Sequence, residues 1–165
     1  MDDDYRIPSG TTIGHVHLKV SDLDRAVAFY GDVLGFELRQ RYGHQAAFLA
    51  ADGYHHHIGL NTWESGGGPS PARGTTGLYH LAILYPTRAD LGRALRRLLE
   101  HDVGLDGASD HGVSEALYLH DPDGNGIELY WDRPREEWPL RPDGSLAMVT
   151  EPLDLPALLA AADSG

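Results

Sequence analysis

The sequence predicts an α+β fold in which two βαβββ modules, about residues 13–63 and 78–132, form one domain shaped as a curved, partly open barrel. Two stretches of one design carry the prediction. Ile13-Gly14-His15-Val16-His17-Leu18-Lys19-Val20 and Leu78-Tyr79-His80-Leu81-Ala82-Ile83-Leu84 both alternate along a strand, and each leads within a few residues into a helical pattern. A third observation separates the copies: residues 64–77 are rich in Gly, Ser and Pro and read as a linker.

Residues 1–12 are acidic and polar and read as a loose N-terminal arm. After the strand at 13–20, Ser21-Asp22-Leu23-Asp24 resembles a capping box, with an acid at the third helical-turn position. Leu23, Ala26, Val27, Tyr30 and Leu34 repeat at helical spacing, and Gly35 supplies the stop. Two short strands follow at about 36–42 and 45–51, then an Asp52-Gly53 turn and a fourth strand, His55-His56-His57-Ile58-Gly59-Leu60-Asn61. In the second copy Pro86-Thr87 ends the strand and caps a helix whose apolar stripe is Leu91, Ala94, Leu95, Leu98 and Leu99. A weak strand near 105–109 precedes Ser114 to His120. The turn Asp121-Pro122-Asp123-Gly124-Asn125 then delivers the last strand, Gly126 to Trp131. The tail, residues 133–165, carries five prolines and should be mostly extended. Leu155, Leu158 and Leu159 point to a short terminal helix over a cavity, a partner subunit or the barrel itself.

The formal charge of −12 over 165 residues argues against nucleic acid or an anionic membrane surface as a partner. With no cysteine, disulfides, thiolate metal sites and cysteine nucleophiles are excluded. The opening Met-Asp-Asp-Asp lacks the basic and apolar regions of a signal peptide, and no apolar run approaches a membrane span, so a soluble cytoplasmic protein is expected.

Alternation assigns the side chains to faces. Val16, Leu18 and Val20, and Leu81 and Ile83, should pack on the helices. His15, His17 and Lys19 take the other face of the first strand, and His80 and Ala82 that of its counterpart. In the last strands Tyr118 and His120, and Glu128 and Tyr130, lie opposite the apolar residues. By the same parity His55, His57 and Asn61 go to the polar side, and His56 goes with Ile58 and Leu60. A concave face gathering His, Glu and Tyr would cost several kcal/mol to bury without partners, on the order of what isolated buried polar groups cost. A metal ion is one partner for two imidazoles and a carboxylate. His15, His80 and Glu128 would give the two-histidine, one-carboxylate set of non-haem Fe(II) oxygenases. The same set suits catalytic zinc, although the helical HExxH motif is absent, and Mn(II) fits nearly as well.

Gly14-His15-Val16-His17-Leu18, Val20 to Ala26, Phe29-Tyr30 and Leu34-Gly35-Phe36 resemble the opening of the vicinal oxygen chelate superfamily, the glyoxalase/bleomycin-resistance/dioxygenase fold. Asp121 to Leu129 resembles its closing hairpin. Within that superfamily the chain is most similar to the small, single-domain type I extradiol catechol dioxygenases. The resemblance implies Fe(II) at His15, His80 and Glu128, with Mn(II) as the alternative ion. It implies an acid–base histidine at His57, a tyrosine at Tyr118 that hydrogen-bonds the substrate oxygen, and His111 lining the pocket. His55, His120 and Asn61 complete the expected substrate pocket. The expected substrates are O2 and a small catechol, some relatives acting on catechols with amino-acid side chains, and a homodimer is the expected assembly.

Two other readings stand beside it. A glyoxalase-like isomerase or thiol transferase would use a fourth, usually acidic, ligand in the strand of His55 to His57, where this chain has histidine. A metal-free protein that sequesters a small molecule would not need the three ligands.

Overall fold

The computed structural model describes residues 5–164; residues 1–4 of the expected N-terminal arm lie outside the described residues. Residues 5–12 carry no helix or strand. The first module comprises β1 (Val16–Lys19), α1 (Leu23–Ala28), which widens into a π-helical turn over Phe29–Val33, β2 (Glu37–Tyr42), β3 (Ala46–Ala50) and β4 (Ile58–Asn61). The second comprises β5 (Leu81–Leu84), α2 (Arg88–Glu100), β6 (Gly107–Asp110), β7 (Ser114–His120) and β8 (Gly126–Asp132). A short β9 (Glu151–Pro152) and α3 (Leu155–Ala161) follow in the tail. The sheets have matching orders, β1-β4-β3-β2 and β5-β8-β7-β6-β9, and in each the first strand runs parallel to the last strand of its module. The two sheets do not close on one another.

Local chemistry sets the element ends. Asp22 caps α1 by accepting the Arg25 amide at 3.0 Å, satisfying one of the free N–H groups of the first turn. Gly35 stops the segment at φ 86°, a backbone that glycine adopts without a Cβ clash. At α2, Thr87 accepts the Asp90 amide at 3.1 Å while its hydroxyl donates to the Asp90 carboxylate at 2.6 Å, which closes the cap from both sides.

The alternation predicted for β1, β5, β7 and β8 places Leu18, Leu81, Leu117, Leu119, Ile127 and Leu129 in one continuous core with Ala26, Tyr30, Leu91, Leu95 and Leu98 from the helical side. Between the modules, the buried Asp121 carboxylate accepts four hydrogen bonds. Two come from the amides of Asp123 and Asn125, one from the Asn125 side chain and one, at 3.0 Å, from the Tyr30 hydroxyl of the first module. Asp123 in turn accepts from the Ser21 amide and hydroxyl and pairs with Arg25 at 2.7 Å. Arg97 of α2 donates to the carbonyls of Asp32 and Val33. The helical sides of the modules are thereby tied together.

The tail is not a free extension. β9 pairs with β6, and α3 packs on α2 so closely that a Cβ on Gly92 would lie 2.4 Å from the Leu158 carbonyl. Arg133 bridges Asp110 and the buried Glu115, which Arg88 also holds. Of the destinations expected for the terminal helix, packing on its own module is the one observed.

Tyr30→Phe deletes the hydroxyl that reaches Asp121 and leaves a buried carboxylate one donor short. Hydrogen bonds to charged groups contribute about 1.5–3 kcal/mol, so a loss of that order is expected. In urea it should lower the midpoint with the slope unchanged. An unshifted midpoint would remove this bond from the joint between the modules.

Candidate metal centre and its cavity

On the open face of the second sheet, β5 and β8 run side by side with Leu81 opposite Ile127 and Ala82 opposite Glu128. His80 immediately precedes β5, and its Nε2 lies 3.0 Å from Glu128 Oε2. At this distance the imidazole and the carboxylate could serve one metal ion, the ring nitrogen being a ligand only when it carries no proton. Tyr118 on β7, paired across the ladder with Glu128, donates its hydroxyl to Glu128 Oε1 at 3.0 Å. His111 Nε2 lies 2.8 Å from the same hydroxyl, and His111 Nδ1 lies 2.9 Å from the Val149 carbonyl. Because that carbonyl can only accept, Nδ1 carries the hydrogen and fixes the ring's orientation. Burial, then the Glu128 hydrogen bond and charge, push the Tyr118 phenol up to about 12, which keeps it a neutral donor around pH 7.

These groups open on a cavity of about 470 Å³ whose lining includes Tyr79, His80, His111, Tyr118, His120 and Thr150. No lysine or arginine lines it, and its wall carries Asp106, paired with His120. A space of this size is within the range of small-molecule pockets, about 300–1,000 Å³. All of its lining comes from the second module and the tail.

The first module gathers a different group. The His15 and His56 rings lie with centroids 4.4 Å apart and planes tilted by 49°, and Phe48 lies 5.0 Å from His56. His17 lies across Gly59 toward Phe48 and Trp63; a Cβ on Gly59 would meet its ring at 3.0 Å. Burial, then the neighbouring His15, hold His17 below the ordinary imidazole range, and His56 is lowered by burial and then by the surrounding histidines.

The structure departs from the strand reading in four places. β4 begins only at Ile58, because residues 55–57 bend out of the Asp52-Gly53 turn, so alternation does not extend through the histidines. His57 Nδ1 accepts the Ala51 amide at 3.2 Å and its ring lies on Tyr54; His56, expected on the apolar face, is the one that lies beside His15. Asn61, expected in the substrate pocket, is buried at the end of β4 and accepts the Trp63 amide; His55 is exposed with its Nδ1 2.8 Å from that of His56. Finally, Val16 pairs with Ile58 as Leu81 pairs with Ile127. The first-module counterpart of Glu128 is therefore Gly59, not one of the three histidines, and no side chain stands at a fourth ligand position.

The donor set fits an ion only in part within one chain. His80 and Glu128 converge, but among the described residues no three His, Asp or Glu side chains gather closely enough to hold a metal, and His15 lies with the first-module group. Thr150, which lines the cavity, and Val149, whose carbonyl holds His111, were not marked by the sequence and are brought there beside the pairing of β9 with β6. Nothing periodic in a Pro-rich tail announces such a contact.

The family model described as the Glyoxalase/Bleomycin resistance protein/Dioxygenase superfamily matches residues 12–129. A catechol-2,3-dioxygenase of Bacillus subtilis (strain 168) is 45% identical over 157 residues, 93% of this chain and 53% of that protein. Biphenyl-2,3-diol 1,2-dioxygenase 3 of Rhodococcus globerulus is 35% identical over 73% of this chain and 63% of its own length. The chain thus spans little more than half the length of these relatives. Among solved structures, a glyoxylase/bleomycin resistance protein/dioxygenase domain from Frankia sp. EAN1pec superposes with a TM-score of 0.63 at 23% identity, covering 74% of this chain and 98% of that one. A lactoylglutathione lyase from Agrobacterium tumefaciens does so with 0.59 at 25% identity, covering 76% and 95%.

The lowered His17 and His56 have a consequence for stability. A group depressed on folding favours the fold above its unfolded pKa, about 6.5 for histidine, and loses that contribution as pH falls below it. The urea midpoint should therefore drop between pH 7 and pH 5, and by less in His17→Gln. An equal drop in the variant would show that this cluster is not the cause.

Proposed function

Because the chain belongs to the glyoxalase/bleomycin resistance protein/dioxygenase superfamily, we propose that it is an extradiol dioxygenase that opens the ring of a small catechol with O2, using iron(II) held by His80, Glu128 and His15. The observation that carries the proposal is the convergence of His80 and Glu128 at 3.0 Å, with the Tyr118–His111 chain on the far oxygen of Glu128, at a cavity of small-molecule size. The names of the relatives, a catechol dioxygenase and a biphenyl-diol dioxygenase, support the same reaction class. When bound, the ion supplies the point at which the two catechol oxygens and dioxygen meet.

The chain's own residues do the rest. Tyr118, a neutral donor, orients the Glu128 carboxylate and presents a hydroxyl to a substrate oxygen entering beside it. His111, anchored on the Val149 carbonyl, holds that hydroxyl in place. An imidazole from the 55–57 turn takes and returns the substrate proton. The family resemblance, with strand parity, implied His57 for this role. His57 is tied to the Ala51 amide, whereas His56 rests on His15, and we assign the proton transfer to His56. A fourth ligand, which the isomerase reading requires, has no side chain at Gly59. The proposal includes a cytoplasmic setting, consistent with a chain free of cysteine; among the described residues no helix is long and apolar enough to cross a membrane. It also takes residues 13–132 as the working domain and 133–165 as a tail that walls the cavity.

Anaerobic reconstitution with Fe(II), followed by oxygen uptake and visible absorbance on a catechol panel, tests the proposal. Oxygen consumption matched by a yellow ring-opened product is expected. Tight iron binding without uptake on any catechol would overturn the reaction class. With no lysine or arginine in the cavity lining and Asp106 on its wall, catechols bearing a carboxylate should show kcat/KM roughly tenfold or more below unsubstituted catechol. Equal values would place the ring substituent outside this cavity. His56→Phe should keep iron and lose about 10²–10⁴-fold in kcat, as removal of a general acid–base does. If His57→Phe shows the larger loss, the assignment between the two histidines reverses.

A further inference from the structure

We infer that Asp106, held by His120, sets the specificity of the cavity, and that the substrate it selects is a catechol carrying a protonated amine on a short side chain. The inference rests on the ring-opening reading above and names its substrate class.

The register of the second sheet places this pair relative to the reacting end. His80, one residue before the Leu81–Ile127 pair, comes beside Gly126 of β8. Gly126 in turn pairs with His120 of β7. One row across the cavity floor therefore runs from His80 through Gly126 to His120, and the two histidines stand two strand spacings apart, about 10 Å between backbones. Nothing fills the middle of the row, because a Cβ on Gly126 would lie 2.2 Å from the Tyr79 carbonyl and 3.1 Å from the His80 Cβ. The row beside it is also bare at one point: Tyr118 pairs with Glu128 on one side and with Gly107 on the other. A ring whose oxygens are held at His80 and Tyr118 lies over this bare stretch and directs a substituent toward the far end of the row.

Asp106 stands at that end. Its amide donates to the Tyr118 carbonyl at 2.8 Å, and its carboxylate Oδ2 takes a hydrogen bond from His120 Nδ1. Among the described residues no donor reaches its Oδ1. Both side chains are about half exposed, so a ligand in the cavity can reach the free oxygen. A carboxylate only accepts hydrogen bonds and an ammonium group only donates them, so the two match. No lysine or arginine lines the cavity, and Ser109 and Thr150 add only neutral hydroxyls. The chain's formal charge of −12 draws cations toward it and repels anions. A full amino-acid side chain would bring a carboxylate to the same wall, so an amine without an acid is the better match.

The test compares 4-(2-aminoethyl)catechol with 4-ethylcatechol, which lacks the amine. On the Fe(II)-loaded chain, kcat/KM from oxygen uptake should favour the amine at least about fivefold, the size an exposed ion pair allows, with the difference in KM. Anaerobic titration calorimetry, with and without Fe(II), should show the same preference in Kd, because Asp106 binds the substituent and not the ion. In Asp106→Asn the ratio of the two compounds should fall to about one. In Asp106→Lys it should invert, with 4-(2-carboxyethyl)catechol above the amine. The wild-type comparison needs no variant to fold. A wild-type chain that treats the amine and ethyl compounds alike in kcat/KM and Kd, or a ratio unchanged in Asp106→Asn, would overturn the inference. An amine preference in Kd with no oxygen uptake on any catechol would uphold the amine site and overturn the ring-opening reading.

Discussion

The Asp121 carboxylate is the constraint on which the rest of the structure depends. It is buried, and a buried carboxylate is tolerated only when its oxygens are satisfied. Here the 121–125 turn supplies three donors and the first module supplies the fourth through Tyr30. One side chain therefore fixes the hairpin that carries Tyr118 and Glu128, and also fixes where α1 sits against it. Burial and the Asp121 charge push the Tyr30 phenol far above its ordinary range, so it remains a donor at neutral pH. The orientation of the two sheets, and with it the outward direction of their open faces, follows from this joint.

The repeat makes the site but does not make it symmetric. Equivalent register in the two parallel pairs, Val16 with Ile58 and Leu81 with Ile127, puts a histidine at the same point of each module. The next position then differs: Glu128 in one copy, Gly59 in the other. The glycine lets the His17 ring lie flat across the sheet, where any Cβ would collide with it. The proposed set of two imidazoles and one carboxylate, if it held an ion, would supply only three ligands and would leave room for a substrate and dioxygen.

Much of this was legible in the sequence. Helix starts at Asp22 and Thr87, the stop at Gly35 and the Asp121 turn are local signals, each set by one or two residues. The alternation of β1, β5, β7 and β8 assigned His17, Tyr118 and Glu128 to the open faces because strand periodicity needs no tertiary information. What failed was also physical. Three consecutive histidines following a tight turn need not continue a strand, and the bend at 55–57 exchanged the surroundings expected for His56 and His57. Asn61 closed on its own loop instead of facing a ligand. The contact of Val149 with His111 depends on a tail strand pairing forty residues from its partner, beyond any local pattern.

The most direct measurement of the central claim is an anomalous difference map at the iron edge from crystals of Fe(II)-loaded protein grown without oxygen. The account predicts one peak at the mouth of the cavity, ligated by His80, Glu128 and a His15, with the remaining positions open to solvent. A peak ligated by other residues, or an iron held by four protein side chains, would contradict it.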